Sequence, residues 1–242
     1  MKKILIIFGA LAIFIGQDVK AETYFVNKNN VRLTKSQYDY ISKLYYEGYQ
    51  NFITEDEYNA LVQNDLFQQN IESKSIVAFE KSNTRSTNIY ANKRTITISK
   101  SCNAKCLITL KVIWDSIPLV QSYDVIGMRF NSTSATTINQ CSISGNNYNN
   151  SYSTRTENYK SSNNGFGYSV KIPNNAGLVI LTSATVNTGG TVYGAYEHAL
   201  SNVSLATSKN YNISSAGQGS VFAFTGSAIG KYDNTSGVEI NT

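Results

Sequence analysis

The chain has 242 residues, of which 15% are charged, and its formal net charge is +5. Globular proteins average about 25% charged residues. The low charge and the abundance of Asn, Ser, Thr and Tyr are typical of an exported all-β protein, because strands favour Thr and Tyr and turns favour Asn and Ser. The basic residues are scattered, whereas nucleic-acid binding calls for a dense basic stripe, so we expect no nucleic-acid partner.

The first 21 residues have the pattern of a secretory signal peptide. Lys2 and Lys3 precede an apolar stretch over 4–15, and Val19 and Ala21 stand at the −3 and −1 positions of a cleavage site. The alternative is a membrane anchor, but the apolar stretch is shorter than the ~20 residues of a spanning helix. We therefore predict cleavage after Ala21, a secreted protein, and no transmembrane segment after cleavage.

Residues 22–74 are predicted to form a helical hairpin segment, in which the same helix N-terminal pattern occurs twice. The stretches "LTKSQYDYI" (33–41) and "ITEDEYNAL" (53–61) align position by position. Thr34 with Gln37, and Thr54 with Glu57, have the spacing of capping boxes, in which side chain and backbone groups bond reciprocally. The pattern predicts helices at about 35–47 and 55–66, with Gly48 ending the first.

Each predicted helix has one apolar face. These faces comprise Tyr38, Ile41, Leu44 and Tyr45 in the first helix and Tyr58, Leu61, Val62 and Leu66 in the second. Neither helix is long enough to be stable alone, so we expect the two to pack on each other and on the β domain. The connecting segment lacks the alternating Asp and Asn ligands and the central Gly of a calcium-binding loop.

The hairpin pattern resembles that of the SHOCT-type short helical module. The residues that carry the resemblance are Ile41, Leu44, Gly48, Ile53, Thr54, Glu57 and Tyr58. The resemblance covers about thirty residues of the chain, and it implies an oligomerisation or docking role for the hairpin.

Residues 75–242 are predicted to form a β domain, because the period of the apolar residues changes to two. Predicted strands are "SIVAFE", "STNIYA", "RTITIS", "CLITLKVIW", "SYDVIGMRF", "TINQCSI", "GYSVKI", "GLVILTSATV", "TVYGAYEHA", "NVSLAT" and "SVFAFTG". Short strands separated by turn residues at this spacing indicate a two-sheet antiparallel β-sandwich, with a jelly-roll-like arrangement as the alternative.

Three cysteines follow the predicted cleavage site, in an oxidising setting if the protein is exported. Cys102 and Cys106 lie in "CNAKC", where Asn103 to Lys105 resemble a turn between two strands, so we expect a Cys102–Cys106 disulfide. Pairing of either cysteine with Cys141 is the alternative. Zinc would need more ligands than this spacing offers, so we expect no metal and no cofactor.

Between 144 and 167 the alternation gives way to a polar stretch that contains four aromatic residues. It is predicted to be a long loop or a pair of weak edge strands, and its aromatic residues are Tyr148, Tyr152, Tyr159 and Phe166. Tyr flanked by Asn and Ser is typical of binding surfaces, since Tyr gives contact area at low entropic cost. We expect these four residues to bind a partner; the alternative is a solvated hairpin without a ligand.

The residues needed for catalysis are sparse. His198 is the single histidine, so a nucleophile system would have to use it, and no catalytic motif surrounds a serine. We expect His198 to be structural. A pair of acids for glycoside hydrolysis could come from Asp115, Asp124, Glu157, Glu197 or Asp233, but no spacing selects two of them. Asp115 and Asp124 are expected to hold turns or strand ends.

Three functions remain in competition. The first is a secreted, non-enzymatic binding protein whose partner is a glycan, a cell-wall component or a protein. The second is a membrane-active toxin, because "GLVILTSATV" and "TVYGAYEHA" read as one Ser/Thr-rich hairpin around Gly189 and Gly190. The third is an extracellular glycoside hydrolase. The sequence favours the first.

Overall fold

A computed structural model describes residues 23–80, 92–215 and 220–242 of the chain. The predicted signal peptide and the predicted strand "STNIYA" lie outside these residues. The helices of the described part are α1 (Lys35–Leu44), α2 (Glu55–Gln63) and α3 (Leu205–Ser208). Its strands are β1 (Tyr24–Val26), β2 (Arg32–Thr34), β3 (Ile71–Phe79), β4 (Lys93–Cys102), β5 (Lys105–Trp114), β6 (Tyr123–Asn131), β7 (Ala135–Ile138), β8 (Cys141–Gly145), β9 (Tyr148–Tyr152), β10 (Tyr159–Ser162), β11 (Gly165–Lys171), β12 (Val179–Asn187), β13 (Thr191–Glu197), β14 (Tyr211–Ile213), β15 (Phe222–Phe224) and β16 (Val238–Asn241).

Two antiparallel sheets pack face to face, which confirms the predicted β-sandwich. The larger sheet has the order β3-β4-β5-β12-β8-β9, with β7 also paired to β12, and the smaller has the order β10-β11-β6-β13-β16. Ile108, Leu110, Val112 and Trp114 of β5 point into the core between the sheets, as their alternation predicted. The smaller sheet contributes Met128, Phe166 and other buried residues to the same core.

The helical hairpin packs on the outer face of the seven-stranded sheet. Ile41 and Leu44 of α1 share one buried cluster with Leu107 of β5 and Leu181 of β12. The hydroxyl of Thr109 donates a hydrogen bond to the Leu44 carbonyl at 2.9 Å. The expectation that the hairpin packs on the β domain is therefore confirmed.

A C-terminal strap, formed by residues 199–215 and 220–237, covers the outer face of the five-stranded sheet. Tyr211 and Phe222 of the strap form a buried cluster with Val125 of β6 and Tyr193 of β13. Close approach requires glycine beneath them, since a Cβ at Gly167 would lie 2.6 Å from the Tyr211 hydroxyl. Both faces of the sandwich therefore carry an added layer.

Both predicted capping boxes are present, and both helices are shorter than predicted. In each box the threonine hydroxyl accepts from the backbone N–H three residues on, and the Gln or Glu accepts from the threonine N–H. α1 ends at Leu44, so Gly48 does not cap it; with φ of 105°, Gly48 instead starts a 3₁₀ turn. Val62 is 49% exposed, so its assignment to the buried face of α2 is wrong.

Two strand predictions are corrected. "NVSLAT" contains α3 because the Ser204 hydroxyl accepts from the Thr207 N–H and caps a helical turn there. "TINQCSI" is interrupted at Asn139, whose side-chain and backbone N–H groups both bond to Ser183. The stretch therefore forms two short strands, β7 and β8, along one edge of β12.

The strands proposed as a membrane-inserting hairpin belong to different sheets. β12 lies inside the seven-stranded sheet and β13 inside the five-stranded one, so the Gly189–Gly190 turn crosses the sandwich. The two strands do not pair with each other in the described structure. The hairpin on which the toxin interpretation depended is therefore not formed.

The predicted disulfide is formed at the end of the β4–β5 hairpin. The Cys102 and Cys106 sulfurs are bonded, and the two residues are register partners in the sheet. Cys141 is a free, buried cysteine in the sandwich core. Burial raises the pKa of its thiol, so its thiolate is strongly disfavoured.

Candidate functional site

A groove of about 580 Å³ separates the helical hairpin from the β8–β9 end of the seven-stranded sheet. We name it the hairpin groove. Its wall is formed by Lys28, Tyr46, Glu47, Gly48, Tyr49, Phe52, Thr54 and Glu57. Its floor and rim are formed by Gln140, Ser142, Ser144, Gly145, Asn146, Asn147, Tyr148, Asn149, Ser151, Gly177 and Val179. Its size falls within the roughly 300–1,000 Å³ common for ligand pockets.

The floor is polar because of strand alternation. Cys141 and Ile143 of β8 point into the core, so Ser142 and Ser144 point to the outer face. Their register partners on β9 are Ser151 and Asn149, which therefore share that face. Among the described residues, the side chains of Ser142, Asn149 and Ser151 have no hydrogen-bond partner within the chain, so they are available to a ligand.

The wall comes from the connection between α1 and α2. The Tyr46 hydroxyl lies 3.2 Å from the Ser144 hydroxyl and ties the wall to the floor. Burial raises the pKa of Tyr46, so the phenol stays protonated. Phe52 is exposed, and the Lys28 ammonium lies 4.6 Å from the centre of its ring. The wall therefore presents flat aromatic surfaces beside one cation.

The rim is held by bonds between the β8–β9 turn and the preceding loop of β12. The Asn175 side-chain N–H donates to the Asn146 carbonyl at 2.8 Å, and the Asn146 N–H donates to Ala176. A Cβ at Gly145 would lie 2.8 Å from the Asn175 side-chain oxygen, so this close approach requires glycine. The rim is therefore a fixed edge of the groove.

The groove carries little uncompensated charge. Its ionisable lining residues are Lys28, Glu47 and Glu57 together with three tyrosines. Glu57 is already engaged, because its carboxylate accepts from the Thr54 N–H at 2.9 Å and from the Tyr49 hydroxyl at 2.5 Å. Lys28 and Glu47 remain as one charge of each sign.

The four aromatic residues predicted to bind a partner fall in different environments. Tyr148 borders the hairpin groove, but its half-buried side chain shares a face of β9 with Tyr152 and packs against the sandwich core. Tyr152 and Phe166 are buried in the sandwich core, and Tyr159 packs against that core beside Phe166. The segment forms edge strands, β9 on one sheet and β10 on the other, as the second interpretation of it predicted. A shared surface of all four side chains is therefore not formed.

A smaller cleft of about 330 Å³ lies on the other side of the hairpin, between α2 and the strands β5, β7 and β12. Its polar lining includes Asn64, Lys105, Thr137 and Asn139. Glu57 lines both cavities, so the hairpin stands as a ridge between two clefts on the outer face of the sheet.

His198 lies fully buried between the two sheets. Its Nδ1 is 2.8 Å from Asp124 Oδ2 of the five-stranded sheet, and its Nε2 is 2.9 Å from Glu80 Oε1 beside β3. Burial lowers the pKa of His198, but the two carboxylates outweigh it and raise the pKa to about 9. Trp114 and Tyr196 pack around the imidazole, and the Tyr196 hydroxyl donates to Asp124.

A second set of buried charges adjoins this cluster. Arg94 is fully buried and pairs with Asp233 of the strap, and its guanidinium lies over the rings of Trp114 and Tyr196. The Glu197 carboxylate accepts from the Thr235 N–H at 3.0 Å. Burial, and then the charge of Asp233, raise the pKa of Glu197 to about 8, so this acid is largely protonated at pH 7.

The five acids considered for glycoside hydrolysis are now placed. Asp124, Glu197 and Asp233 belong to the buried cluster, and neither described cavity is lined by them. Asp115 forms a surface ion pair with Lys93, and Glu157 is exposed. Asp124, the second residue of β6, bonds His198 and accepts from the Ala199 N–H just beyond the end of β13, so it does hold a strand end, in a buried setting.

Within 23–80, 92–215 and 220–242, no group of three or more His, Cys, Asp or Glu side chains is arranged to hold a metal ion. In the same part of the chain, no helix combines the length and apolar character that crossing a membrane requires.

Sequence reasoning pointed to one residue of the groove, Tyr148, and missed the rest. The alternation of Cys141 and Ile143 with Ser142 and Ser144 could have placed the two serines on an outer face. The approach of Tyr46 to Ser144 joins residues 98 positions apart and had no local signal.

Comparisons with known proteins show distant likenesses only. No family model matches the chain, and no curated protein matches it. The collagen-binding domain of the Erysipelothrix rhusiopathiae surface protein RspB is 9% identical, with a TM-score of 0.34. The alignment covers 69% of this chain and 55% of that one, so this chain spans about half the length of that structure. A structure described for pH-induced modulation of Streptococcus parasanguinis adhesion by Fap1 fimbriae is 14% identical over 72% of this chain and 95% of that one, with a TM-score of 0.34. Neither likeness carries an inference about function.

Proposed function

We propose that this protein is a secreted, non-enzymatic binding protein that holds its partner in the hairpin groove. The observation that carries the proposal is the groove itself, an open concave surface with unpaired polar side chains on its floor and aromatic rings on its wall. Such a surface is the default binding-site hypothesis for a protein without a catalytic constellation. A glycan, a cell-wall component or a protein would be the partner.

The placement of the titratable residues supports binding over catalysis. A catalytic acid or base must reach the substrate within hydrogen-bond distance. His198, Asp124 and Glu80 are instead buried between the sheets and bonded to one another. Their geometry serves to hold the two sheets together, which leaves the groove as the surface available to a partner.

The secreted location rests on the sequence. A positive start, an apolar stretch and small residues before the predicted cut form the signal pattern. The disulfide between Cys102 and Cys106 is consistent with it, because such bonds persist in oxidising compartments.

The experiment is retention of the purified protein on immobilised peptidoglycan, polysaccharides and extracellular proteins. Phe52→Ala, which removes the exposed ring of the wall, and Ser142→Ala with Ser151→Ala, which removes two floor hydroxyls, are each expected to weaken retention at least tenfold. Phe79→Ala is the matched control, since Phe79 is an exposed aromatic on β3, at the opposite edge of the same sheet. Retention that is unchanged by the groove substitutions, or equally weakened by Phe79→Ala, contradicts the proposal.

A further inference from the structure

We infer that the hairpin groove takes an uncharged saccharide chain, in preference to an anionic polymer or an extended peptide. This inference rests on the proposed function, which names the groove as the binding site but leaves the class of partner open. It follows from the charge of the groove, the chemistry of its floor, its aromatic rings and the state of the neighbouring sheet edge.

The charges of the groove disfavour anionic polymers. Proteins that bind phosphate or sulfate chains present several Lys or Arg side chains, preferably Arg in a bidentate geometry. The groove contains one cation, Lys28, which lies against the Phe52 ring, and no arginine. Glu47 on the same wall would repel an anion, so an uncharged ligand is the better match.

The floor matches the hydrogen-bonding groups of a saccharide. A serine hydroxyl and an asparagine amide each both donate and accept, as do the hydroxyl groups and acetamido groups of sugars. Ser142 on β8 and Ser151 on β9 are register partners. Asn149 lies two residues before Ser151 in the chain, on the same face of β9. These three side chains form a short polar row without internal partners in the described chain, beside the apolar Val179.

Aromatic rings stand on one side of this row. Tyr46 and Phe52 lie on the wall, whereas Tyr148, at the rim, packs against the sandwich core. Aromatic rings offer flat apolar faces of fixed orientation, which suit the C–H faces of sugar rings. The combination of flat rings and bifunctional polar groups therefore fits a sugar chain that lies along the floor.

At the edge of the sheet beside the groove, one of the N–H groups that a peptide strand would use is already engaged. An extended peptide commonly binds by adding a strand to a free edge, where it needs unpaired N–H groups. β9 is the edge strand, but its Ser151 N–H donates to the Asn150 side-chain oxygen at 2.9 Å. The Asn150 amide in turn donates to the Tyr152 hydroxyl at 3.3 Å, so this cap is held in place.

The test is titration calorimetry with three tetrasaccharides of equal length: an uncharged glucose tetramer, an uncharged N-acetylglucosamine tetramer and an anionic uronate tetramer. At least one uncharged tetramer is expected to bind at least tenfold more tightly than the uronate tetramer, and Phe52→Ala is expected to abolish the difference. Glu47→Lys is expected to strengthen uronate binding severalfold and to narrow its difference from uncharged binding. Glu72→Lys, which reverses an exposed acid on β3, is the matched control and should change neither.

Each other outcome overturns the inference. Tighter binding of the uronate tetramer that is lost in Phe52→Ala refutes the ligand class while the groove remains the binding site. The same holds if none of the tetramers binds but a protein partner is retained in a Phe52-dependent manner. If tetramer binding is indifferent to Phe52→Ala and to the floor substitutions, both the ligand class and the proposed function of the groove are wrong.

Discussion

The imidazole of His198 bonds Asp124 through Nδ1 at 2.8 Å, and it bonds Glu80 through Nε2 at 2.9 Å. Asp124 belongs to the five-stranded sheet, and Glu80 follows β3 at the edge of the seven-stranded sheet. Because both partners are carboxylates, the doubly protonated imidazole, which donates from both nitrogens, is the form that fits. His198 is therefore a buried cation that ties the two sheets together.

Replacement of His198 by Gln is expected to lower the free energy of unfolding by about 3–5 kcal/mol, because it leaves two buried carboxylates without their cation. Glu80 also accepts from the Leu119 and Val120 N–H groups, so the loop between β5 and β6 should loosen as well. Urea unfolding followed by tryptophan fluorescence measures the change, since Trp114 packs on the imidazole. Asp115→Asn, which removes an exposed ion pair, is the control and should cost at most about 1 kcal/mol. A His198→Gln protein as stable as that control would show that His198 does not hold the two sheets together.

Stability is expected to fall as the pH rises from about 5 to 9. The pKa of His198 in the fold is about 9, above its usual 6.5, so its contribution is complete below 6.5 and is lost as the pH passes through 9. The pKa of Glu197 is about 8, above its usual 4.5, so the fold favours the neutral carboxyl. The stability that this group contributes is lost as the pH rises from 4.5 to 8. Both groups therefore make the protein less stable as the pH rises.

Urea midpoints measured at pH 5, 7 and 9 check this dependence. Glu197→Gln should flatten the part of the curve between pH 5 and 8 and leave the part near pH 9. Below pH 4.5 the trend should reverse, because hydrogen bonds and the charge of His198 outweigh burial and lower the pKa of Glu80. A midpoint that increases steadily from pH 5 to 9 would be incompatible with the buried cluster as described.

Local patterns predicted the parts of the fold whose causes are local. The capping boxes at Thr34 and Thr54 and the alternation of β5 involve residues within a few positions of one another, so sequence sufficed. The turn at Gly189 and Gly190 has the same local pattern whether two strands pair or cross between sheets, and only the packing of β12 and β13 distinguishes them. The "NVSLAT" stretch was misassigned because one N-cap serine outweighed its strand pattern.

The site was less predictable, because its parts come from distant segments. His198 meets Asp124 across 74 residues and Glu80 across 118. The groove joins the α1–α2 connection to β8 and β9, and Tyr148 was identified through composition, without its partners. The burial of Phe166 could not be read from a polar stretch, because Gly165 to Lys171 form an interior strand of the smaller sheet next to its edge.

The capping threonines of the hairpin are expected to control its local stability. Thr54→Ala should cost about 1 kcal/mol, because the Glu57 N–H loses its acceptor and the Glu57 carboxylate loses a donor. Hydrogen exchange of the α2 amides should accelerate accordingly, while the amides of β5 and β12 should be unaffected. Thr54→Ser keeps the hydroxyl and is the matched control. Equal exchange rates in the Ala and Ser variants would show that the capping box contributes nothing there.

The disulfide and the free thiol should respond differently to reagents. Removal of the Cys102–Cys106 bond by a double Ser substitution is expected to cost about 2 kcal/mol, because the closed loop is very short. Cys141 is buried in the core and its pKa is raised, so a thiol-modifying reagent should leave it unmodified in the folded protein and modify it at the rate of unfolding. Mass spectrometry after a timed reaction counts the modified thiols, with a urea-unfolded sample as the positive control. Modification of Cys141 within seconds under native conditions would contradict its burial, and modification of two further thiols without a reductant would contradict the disulfide.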